Sequence, residues 1–186
     1  MPASKANTTP IITGRLKGRK LVLPASEAVR PTRLRLRQAA FNMLASRLEF
    51  GGLRVADIGA GSGAWGLEAL SRGAAHVWLI DTDTHAAATN VKALGLAADD
   101  VTLVKADAAH WAPPTPCDVV LADPPYANTA LVPQVLAQAA RWGTVGSWWL
   151  IETAAATGVT WPASFTNTKT TVSGVTALHI ACYQGV

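Results

Sequence analysis

One stretch of the sequence combines the groups that a planar amine needs as partners. Asp123-Pro124-Pro125-Tyr126 follows an apolar run that ends at Ala122 and is typical of a buried strand. The two prolines end that strand and stiffen the turn after it, because each fixes φ and lacks an N–H. The turn therefore presents a carboxylate, backbone carbonyls and an aromatic ring in one place. The oxygens can accept hydrogen bonds from an –NH₂ group, and the ring can stack on the plane that carries it.

This set of groups suits the activation of an exocyclic amine. Such an amine on a nucleobase or amide is a poor nucleophile, because its lone pair is delocalised. Two acceptors on its hydrogens would draw the nitrogen toward sp³ and prepare it to attack an electrophilic methyl group. The alternative is a proline turn that merely ends a strand, with Asp123 in solvent. A second motif upstream favours the chemical interpretation.

The second motif is a strand, a glycine turn and the start of a helix, in residues 55–63. Its glycines are Gly59, Gly61 and Gly63. Such turns lie at the carboxyl ends of parallel strands, and glycine lets a ligand approach the backbone closely. Asp81 ends the next predicted strand, where it is placed to accept hydrogen bonds from the two ribose hydroxyls of an adenosine.

The glycines alone do not separate two cofactors. Residues 61–66 fit G-x-G-x-x-G, with an acid about 20 residues downstream, so a nicotinamide dinucleotide competes with S-adenosylmethionine. Asp57 favours the latter, since it can meet the cationic methionine end directly at the amino group or through water. Asp107 ends the third strand and can accept from an adenine amine, although a helix N-cap explains it equally well. Asp123 ends the strand next to the first, where the methyl would point, and hydride transfer has no evident need for it.

The pattern around these motifs predicts a doubly wound parallel α/β sheet, because strands and helices alternate from Gly51 onward. The predicted strands are 53–58, 76–81, 101–105, 118–122 and 147–152. The predicted helices run from the glycine turn to about residue 72, over 84–94, and to about residue 142 with Pro133 in the first turn. Residues 166–183 alternate β-branched and polar types around Ser173-Gly174, which predicts a closing antiparallel hairpin.

The front of the chain is strongly basic. Residues 1–47 hold ten Lys and Arg against one acid, a net +9, whereas the remainder carries a net −5. We expect a loose tail over 1–9, an irregular hairpin or arm over 11–23, and an amphipathic helix over 33–49 with its arginines outward. Pro31 keeps Arg30 extended, and Thr32 can cap the helix. A polyanion partner such as nucleic acid is favoured over a merely solvated basic face.

Composition bounds the remaining possibilities. The 186 residues are 49% hydrophobic and 15% charged, which suggests one ordered domain with a short extension, divided here as 1–50 and 51–186. No transmembrane run or signal-peptide core is evident. The two cysteines are expected to be reduced core residues, and the scattered histidines show no metal-ligand spacing. We therefore expect a cytoplasmic protein without a membrane or metal partner.

Together the motifs resemble the class I S-adenosylmethionine-dependent methyltransferases. More narrowly they are similar to the RsmD-type enzymes, which methylate a guanine N2 of bacterial small-subunit (16S) ribosomal RNA. The resemblance spans about residues 11–183, and the family fold it implies is a Rossmann-like, seven-stranded sheet whose last strand is antiparallel. It rests on Ile11-Ile12, Gly14, Gly18-Arg19-Lys20-Leu21, Arg30-Pro31-Thr32, Arg35, Arg37, Phe41-Asn42, residues 61–63, residues 66–74 and Asp123-Pro124-Pro125-Tyr126.

The resemblance implies a role for three groups of residues. The methyl donor is assigned to Asp57, Gly59, Ala60, Gly61, Gly63, Asp81, Thr82, Asp107 and Ala108. The target base is assigned to Asp123, Pro124, Pro125 and Tyr126. Contact with small-subunit ribosomal RNA, in a subunit or an assembly intermediate, is assigned to Arg15, Lys17, Arg19, Lys20, Arg30, Arg33, Arg35 and Arg37.

The chain departs from the family pattern in the basic helix, where Leu34 and Gln38 stand in place of acids. Trp65 also replaces a smaller aliphatic residue after the glycine turn. Three other functions compete with the guanine-N2 interpretation. They are an amine methyltransferase acting on another nucleobase or a protein glutamine, a nicotinamide oxidoreductase, and an RNA-binding ribosome assembly factor without turnover.

Overall fold

A seven-stranded sheet and the helices on its two faces position the candidate site. The computed structural model describes residues 7–24, 31–125 and 127–185. The elements in chain order are β1 (Thr8–Pro10), β2 (Lys20–Val22), α1 (Pro31–Ala45), β3 (Arg54–Ile58), α2 (Ala64–Ser71), β4 (His76–Asp81), α3 (His85–Leu94), β5 (Val101–Lys105), β6 (Cys117–Ala122), α4 (Leu131–Leu136), α5 (Ala139–Trp142), β7 (Gly143–Ala154), β8 (Phe165–Ser173) and β9 (Thr176–Tyr183).

The strand order confirms the predicted doubly wound sheet. It runs β5-β4-β3-β6-β7-β9-β8, and the first five of these strands are parallel to one another. Strand β9 lies antiparallel between β7 and β8, so the predicted closing hairpin is also confirmed. The chain leaves β3 in one direction and later returns to its other side with β6. Ligands of such sheets bind at the carboxyl ends of the strands beside this switch point.

Each face of the sheet is buried against its own set of helices. Successive side chains of a strand point to opposite faces, and β6 shows this clearly. Val119 and Leu121 belong to the core beneath α1, α2 and α3, whereas Val120 and Ala122 belong to the core beneath α4 and α5. Because both faces are covered, the central strands are continuous apolar runs in the sequence, which is why the sequence located them well.

Several predicted boundaries are wrong. The helix expected to run to residue 142 is two helices, since Gln138 leaves helical geometry (φ −112°, ψ 23°) between α4 and α5. Helix α1 begins at Pro31, so Thr32 lies inside the helix and does not cap it. Residues 8 and 9 belong to strand β1, not to a loose tail. Strand β7 begins at Gly143, before the predicted residue 147.

Arg37 corrects the expectation that the arginines of the basic helix all point outward. This residue is only 4% exposed, and its guanidinium donates to the Pro10 carbonyl oxygen and to Thr9 Oγ1 at 3.3 Å. The side chain therefore ties α1 to β1. The outward placement of Arg37 is therefore wrong, and its assignment to RNA contact stays a prediction that this burial does not support. Arg33 and Arg35 of the same helix are exposed as expected.

The predicted hairpin of the basic arm is confirmed. Strands β1 and β2 pair antiparallel, from Thr8 opposite Val22 to Pro10 opposite Lys20. The hairpin is packed into the body, since Ile11 and Leu21 are 1% and 0% exposed within the core that also holds α1 and α2. The predicted division of the chain at residue 50 stays a prediction, although the hairpin shares its core with residues beyond it.

Both cysteines are free and buried, as predicted. Burial raises the pKa of Cys117 to about 12, so its thiol stays protonated. Among the residues that the structure describes, no group of three or more His, Cys, Asp or Glu could hold a metal ion. A search of that same part of the chain found no helix with the length and apolarity needed to span a bilayer.

Candidate active site

The two sequence motifs meet through backbone contact at the switch point. Gly59 follows β3 with φ +72°, and a Cβ built on it would lie 2.9 Å from the carbonyl oxygen of Asp123 and 3.1 Å from Cα of Pro124. The Asp123 N–H donates to the Ile58 carbonyl at 3.0 Å, so the β3–β6 ladder continues into the turn. No L side chain fits between these two backbones. The glycine turn and the proline turn therefore form one unit in which a ligand on either turn lies against the other.

Asp57 supports the glycine turn by holding the start of the helix that follows it. This residue is fully buried (0% exposed), and its Oδ2 accepts from the Gly66 N–H at 2.7 Å in the first turn of α2. A carboxylate at a helix N-terminus is favoured by the helix dipole and by the unpaired N–H groups there. Asp57 thus fixes the start of α2. The structure places it beneath the turn, where it supports the backbone that the sequence assigned to the donor.

Asp81 supports the same turn from the neighbouring strand. Its Oδ2 accepts from the Gly61 N–H at 2.8 Å, and its Oδ1 accepts from the Asp83 N–H at 3.0 Å and lies 3.4 Å from Thr82 Oγ1. The carboxylate is half-buried at the rim. It therefore stands beside the glycine turn, as the sequence predicted, at a position where ribose hydroxyls could reach it.

Asp107 is both a turn cap and an exposed acceptor. Its Oδ1 accepts from the Ala109 N–H at 2.9 Å, while its side chain is 53% exposed and its Oδ2 lies 3.5 Å from Nδ1 of His110. The neighbouring Ala106 N–H donates to the Asp81 carbonyl at 3.0 Å, which joins the ends of β4 and β5. Asp107 thus caps a turn and not a helix, so the N-cap alternative is wrong, and the exposed oxygen leaves the adenine-binding role as a proposal.

The proline turn borders a cavity of about 630 Å³, part of it open to solvent. Pro124 is buried, and the Pro125 carbonyl accepts from the Asn128 N–H at 2.8 Å. Tyr126, the predicted stacking residue, lies outside the described residues, as does Arg30. The remaining wall comes from α4, from the last three residues of β7 and from residues 157–160 of the loop after it.

A polar network stiffens one side of that cavity. Thr153 Oγ1 donates to the Thr157 carbonyl at 2.8 Å and lies 2.9 Å from Nε2 of His179, whose Nδ1 lies 2.9 Å from Thr170 Oγ1. Burial lowers the pKa of His179, which favours the neutral ring. The network therefore fixes the loop after β7 against the C-terminal hairpin without adding charge.

Two buried polar residues that sequence reasoning missed attach the basic hairpin to this site. The Glu68 carboxylate, 0% exposed, accepts from the Ile12 N–H at 2.7 Å and the Thr13 N–H at 3.1 Å. Asn90 of α3, 1% exposed, accepts from the Val22 N–H at 2.8 Å and donates to the Val22 carbonyl at 2.9 Å and the Ser62 carbonyl at 2.8 Å. Asn90 thus joins the hairpin to the glycine turn.

The position of Asn90 in the sequence could have predicted that its side chain is buried and hydrogen-bonded. It lies three residues after Ala87 and four before Leu94, on the apolar side of α3, so a lone amide there had to find buried partners. Glu68 also pairs with Arg72 one turn later in the chain, but no signal identified it as the anchor of the hairpin. Its partners there are backbone N–H groups 55 and 56 positions away.

The exposed basic residues surround the hairpin and the start of α1. Lys17 and Lys20 are exposed. Arg15 is also exposed but pairs with Asp100 at 3.0 Å, and Arg19 donates to the Ala93 carbonyl at 2.9 Å. The arm therefore keeps its basic side chains at the surface while its backbone is anchored in the core.

Comparison with known proteins places this geometry in a family. The model of the family described as conserved hypothetical protein 95 matches residues 9–182. The chain belongs to this family. The chain is similar to "Ribosomal RNA small subunit methyltransferase D" of Escherichia coli (strain K12). The two are 40% identical over 119 residues, which cover 62% of this chain and 59% of the relative. The protein of that name from Buchnera aphidicola (subsp. Acyrthosiphon pisum, strain APS) is 34% identical over 122 residues, 62% of each chain.

Solved structures confirm the fold of the family member. The E. coli protein yhhF superposes with a TM-score of 0.81 at 30% identity, covering 96% of this chain and 99% of its own. A hypothetical protein of Thermus thermophilus superposes with a TM-score of 0.72 at 29% identity, covering 92% and 98%. The matched segments of the curated relatives are about three fifths of their own lengths, so their names alone do not transfer an activity.

We expect Asn90→Ala to loosen the hairpin. The substitution leaves Val22 and Ser62 with buried backbone groups that have lost their partner, which costs about 1–3 kcal/mol of stability. Amide hydrogen exchange over residues 8–22 should accelerate, because the hairpin loses a tie to α3. The neighbouring exposed Thr89→Ala is the matched control and should change neither. Unchanged exchange over 8–22 in Asn90→Ala would show that the amide does not anchor the hairpin.

Proposed function

We propose that this family member transfers a methyl group from S-adenosylmethionine to the exocyclic N2 of a guanine in small-subunit (16S) ribosomal RNA. The observation that carries the proposal is the backbone contact between Gly59 and the Asp123-Pro124 turn, which sets a donor loop against an amine acceptor. The names of the curated relatives support the substrate class. The substrate is a ribosomal subunit or assembly intermediate in the cytoplasm.

The residues of the glycine turn fit a nucleoside-containing donor. Three of the five residues of the turn, Gly59, Gly61 and Gly63, have no side chain. Asp81 lies at the rim beside Gly61. Asp81 would accept from the ribose hydroxyls, and the exposed oxygen of Asp107 would accept from the adenine amine. The bound donor supplies an electrophilic methyl group on a sulfonium. The methionine end would lie over the start of α2, which Asp57 holds in place.

The proline turn would activate and orient the amine. Asp123 accepts one N2 hydrogen, and the backbone carbonyl of Pro124 accepts the other. Tyr126 stacks on the guanine, which must leave any helix to enter the site. These contacts localise the lone pair on N2 and aim it at the methyl carbon. Positioning supplies most of the rate enhancement, and no strong base is required because the methylated amine loses its proton readily.

The exposed basic residues of the arm and helix would bind the RNA backbone. Arg33 and Arg35 lie on α1 without the acids that the family pattern usually carries there, since Leu34 and Gln38 occupy those places. Lys17, Lys20, Arg15 and Arg19 extend the same basic set along the hairpin. Contacts of this kind give affinity that falls steeply with salt and positions the target without reading its sequence.

The proposal is tested by identifying the product. The protein is incubated with labelled S-adenosylmethionine and small-subunit particles from a strain that lacks the modification, and the digested RNA is analysed by mass. We expect N2-methylguanosine. A different methylated base would move the substrate to another amine. Donor binding without transfer to particles or naked RNA would favour a binding role in assembly.

We expect Asp123→Ala to abolish methyl transfer in that assay while donor affinity stays within a few-fold of wild type. The substitution removes an acceptor for the amine and leaves the backbone contact with Gly59 in place. Transfer is followed by incorporated label and donor affinity by calorimetry. Loss of both together would assign a structural role to Asp123, and retained transfer would contradict its role in activation.

We expect the double variant Arg33→Ala/Arg35→Ala to bind small-subunit RNA more weakly and with a shallower dependence on salt. Each lost phosphate contact should reduce the slope of log affinity against log salt by about 1. Arg141→Ala, an exposed arginine on α5, is the matched control and should leave the slope unchanged. Equal slopes for the double variant and wild type would exclude these arginines from the RNA interface.

A further inference from the structure

A second carboxylate stands in line with Asp123 at the switch point. In the sheet register Ile58 is opposite Ala122, and Ala122 is opposite Ile151. One residue further along each strand, Gly59, Asp123 and Glu152 therefore form a row across β3, β6 and β7. The hydrogen bond from the Asp123 N–H to the Ile58 carbonyl ties Asp123 to the end of β3.

The row places the two carboxylates on the same side of the sheet. In-register side chains of parallel neighbours point to one face, and neighbouring strands lie about 4.8 Å apart. Leu121 and Leu150, two positions earlier on the same strands, both belong to the core under α1 and α2, which confirms the shared face. Asp123 and Glu152 thus extend toward the same space beyond that core.

Glu152 is nearly enclosed at this position. It is 3% exposed, and its side chain, like that of Leu150, is directed to the side of the sheet that α1 and α2 cover. A carboxylate is costly to bury unless donors surround it, so we expect Glu152 to be hydrogen-bonded within the protein. An ionised carboxylate can accept about four hydrogen bonds, which leaves capacity for a ligand in addition to protein partners.

The Watson–Crick edge of guanine matches two adjacent carboxylates. It presents two donors side by side, the N2 amine and the N1–H. Adenine has an acceptor at N1, and so has 2-aminopurine, which keeps the N2 amine. We propose that Glu152 accepts the N1–H of the target guanine while Asp123 accepts from N2, so that Glu152 makes the site specific for guanine. This inference rests on the proposed function and adds a residue that reads the base.

The test compares two bases that carry the same reacting amine. The guanosine methylated by the wild-type protein is first mapped, and small-subunit RNA is then prepared with either guanine or 2-aminopurine at that position. The wild-type protein should prefer guanine, by about 10- to 100-fold in kcat/KM for a good base contact. Glu152→Gln can accept from N1–H or donate to N1, so its kcat/KM values for the two bases should lie within about threefold of each other.

The quantity compared is the ratio of kcat/KM for guanine to kcat/KM for 2-aminopurine, in the variant and in the wild type. An intrinsic difference in amine reactivity between the two bases affects both ratios equally and therefore cancels. Glu49→Gln, an exposed carboxylate just after the end of α1, is the matched control and should keep the wild-type ratio. Donor affinity measured by calorimetry checks that each variant is folded. If Glu152→Gln does not fold, the ratio is measured for Glu152→Asp, whose shorter side chain withdraws the carboxylate and should also lower the preference.

The outcomes separate this inference from the function on which it rests. A ratio that falls in a folded Glu152 variant supports the assignment. A ratio that stays at the wild-type value in a folded variant overturns it, even if guanine N2 is methylated. Absence of N2-methylguanosine with wild-type protein overturns both the proposed function and the role of Glu152.

Discussion

The structure of the site depends on one close backbone approach. At Gly59 the glycine turn and the Asp123-Pro124 turn are so near that a single methyl group on Gly59 would lie 2.9 Å from a carbonyl oxygen. The approach follows from the strand order, because β6 lies beside β3 and both turns follow the carboxyl ends of these two parallel strands. In the proposed function, the distance between a donor on one turn and an amine on the other would therefore be set by the sheet itself, not by flexible side chains.

The basic hairpin is anchored to the same framework. Glu68 and Asn90 are buried polar side chains that bond to backbone groups of the hairpin. Asn90 also bonds to the glycine turn, and Glu68 also pairs with Arg72. Gly14 lies so close to the end of α2 that a Cβ there would overlap the Ser71 carbonyl oxygen. A buried polar network of this kind specifies one arrangement, since each unpaired group would be costly. In the proposed function, RNA on the exposed basic residues would thereby be kept at a fixed position relative to the site.

The sequence predicted the sheet and the two turns because their signals are local. Apolar runs, glycines and paired prolines report directly on buried strands and tight turns. What it missed depends on contacts between distant segments. Arg37 has the spacing of a surface arginine, yet β1 covers it, and the amphipathic pattern of α1 could not show that. Trp65, a departure from the family pattern, packs 6.0 Å from the ring of Phe41 and fills the space between α2 and α1. Glu152 was predicted only as the end of a strand, and the register alone placed it beside Asp123.

The most direct test of the backbone contact is the methyl-transfer rate of Gly59→Ala at saturating donor, compared with Gly52→Ala. Both glycines have positive φ, +72° and +80°, so both variants carry similar backbone strain, but the space around a Cβ at Gly52 is open within 4 Å. A displacement of about 1 Å at a reacting group can cost about 100-fold in rate. We expect a loss of that order for Gly59→Ala and a near wild-type rate for Gly52→Ala. Equal rates for the two variants would contradict the claim that this contact sets the geometry of transfer.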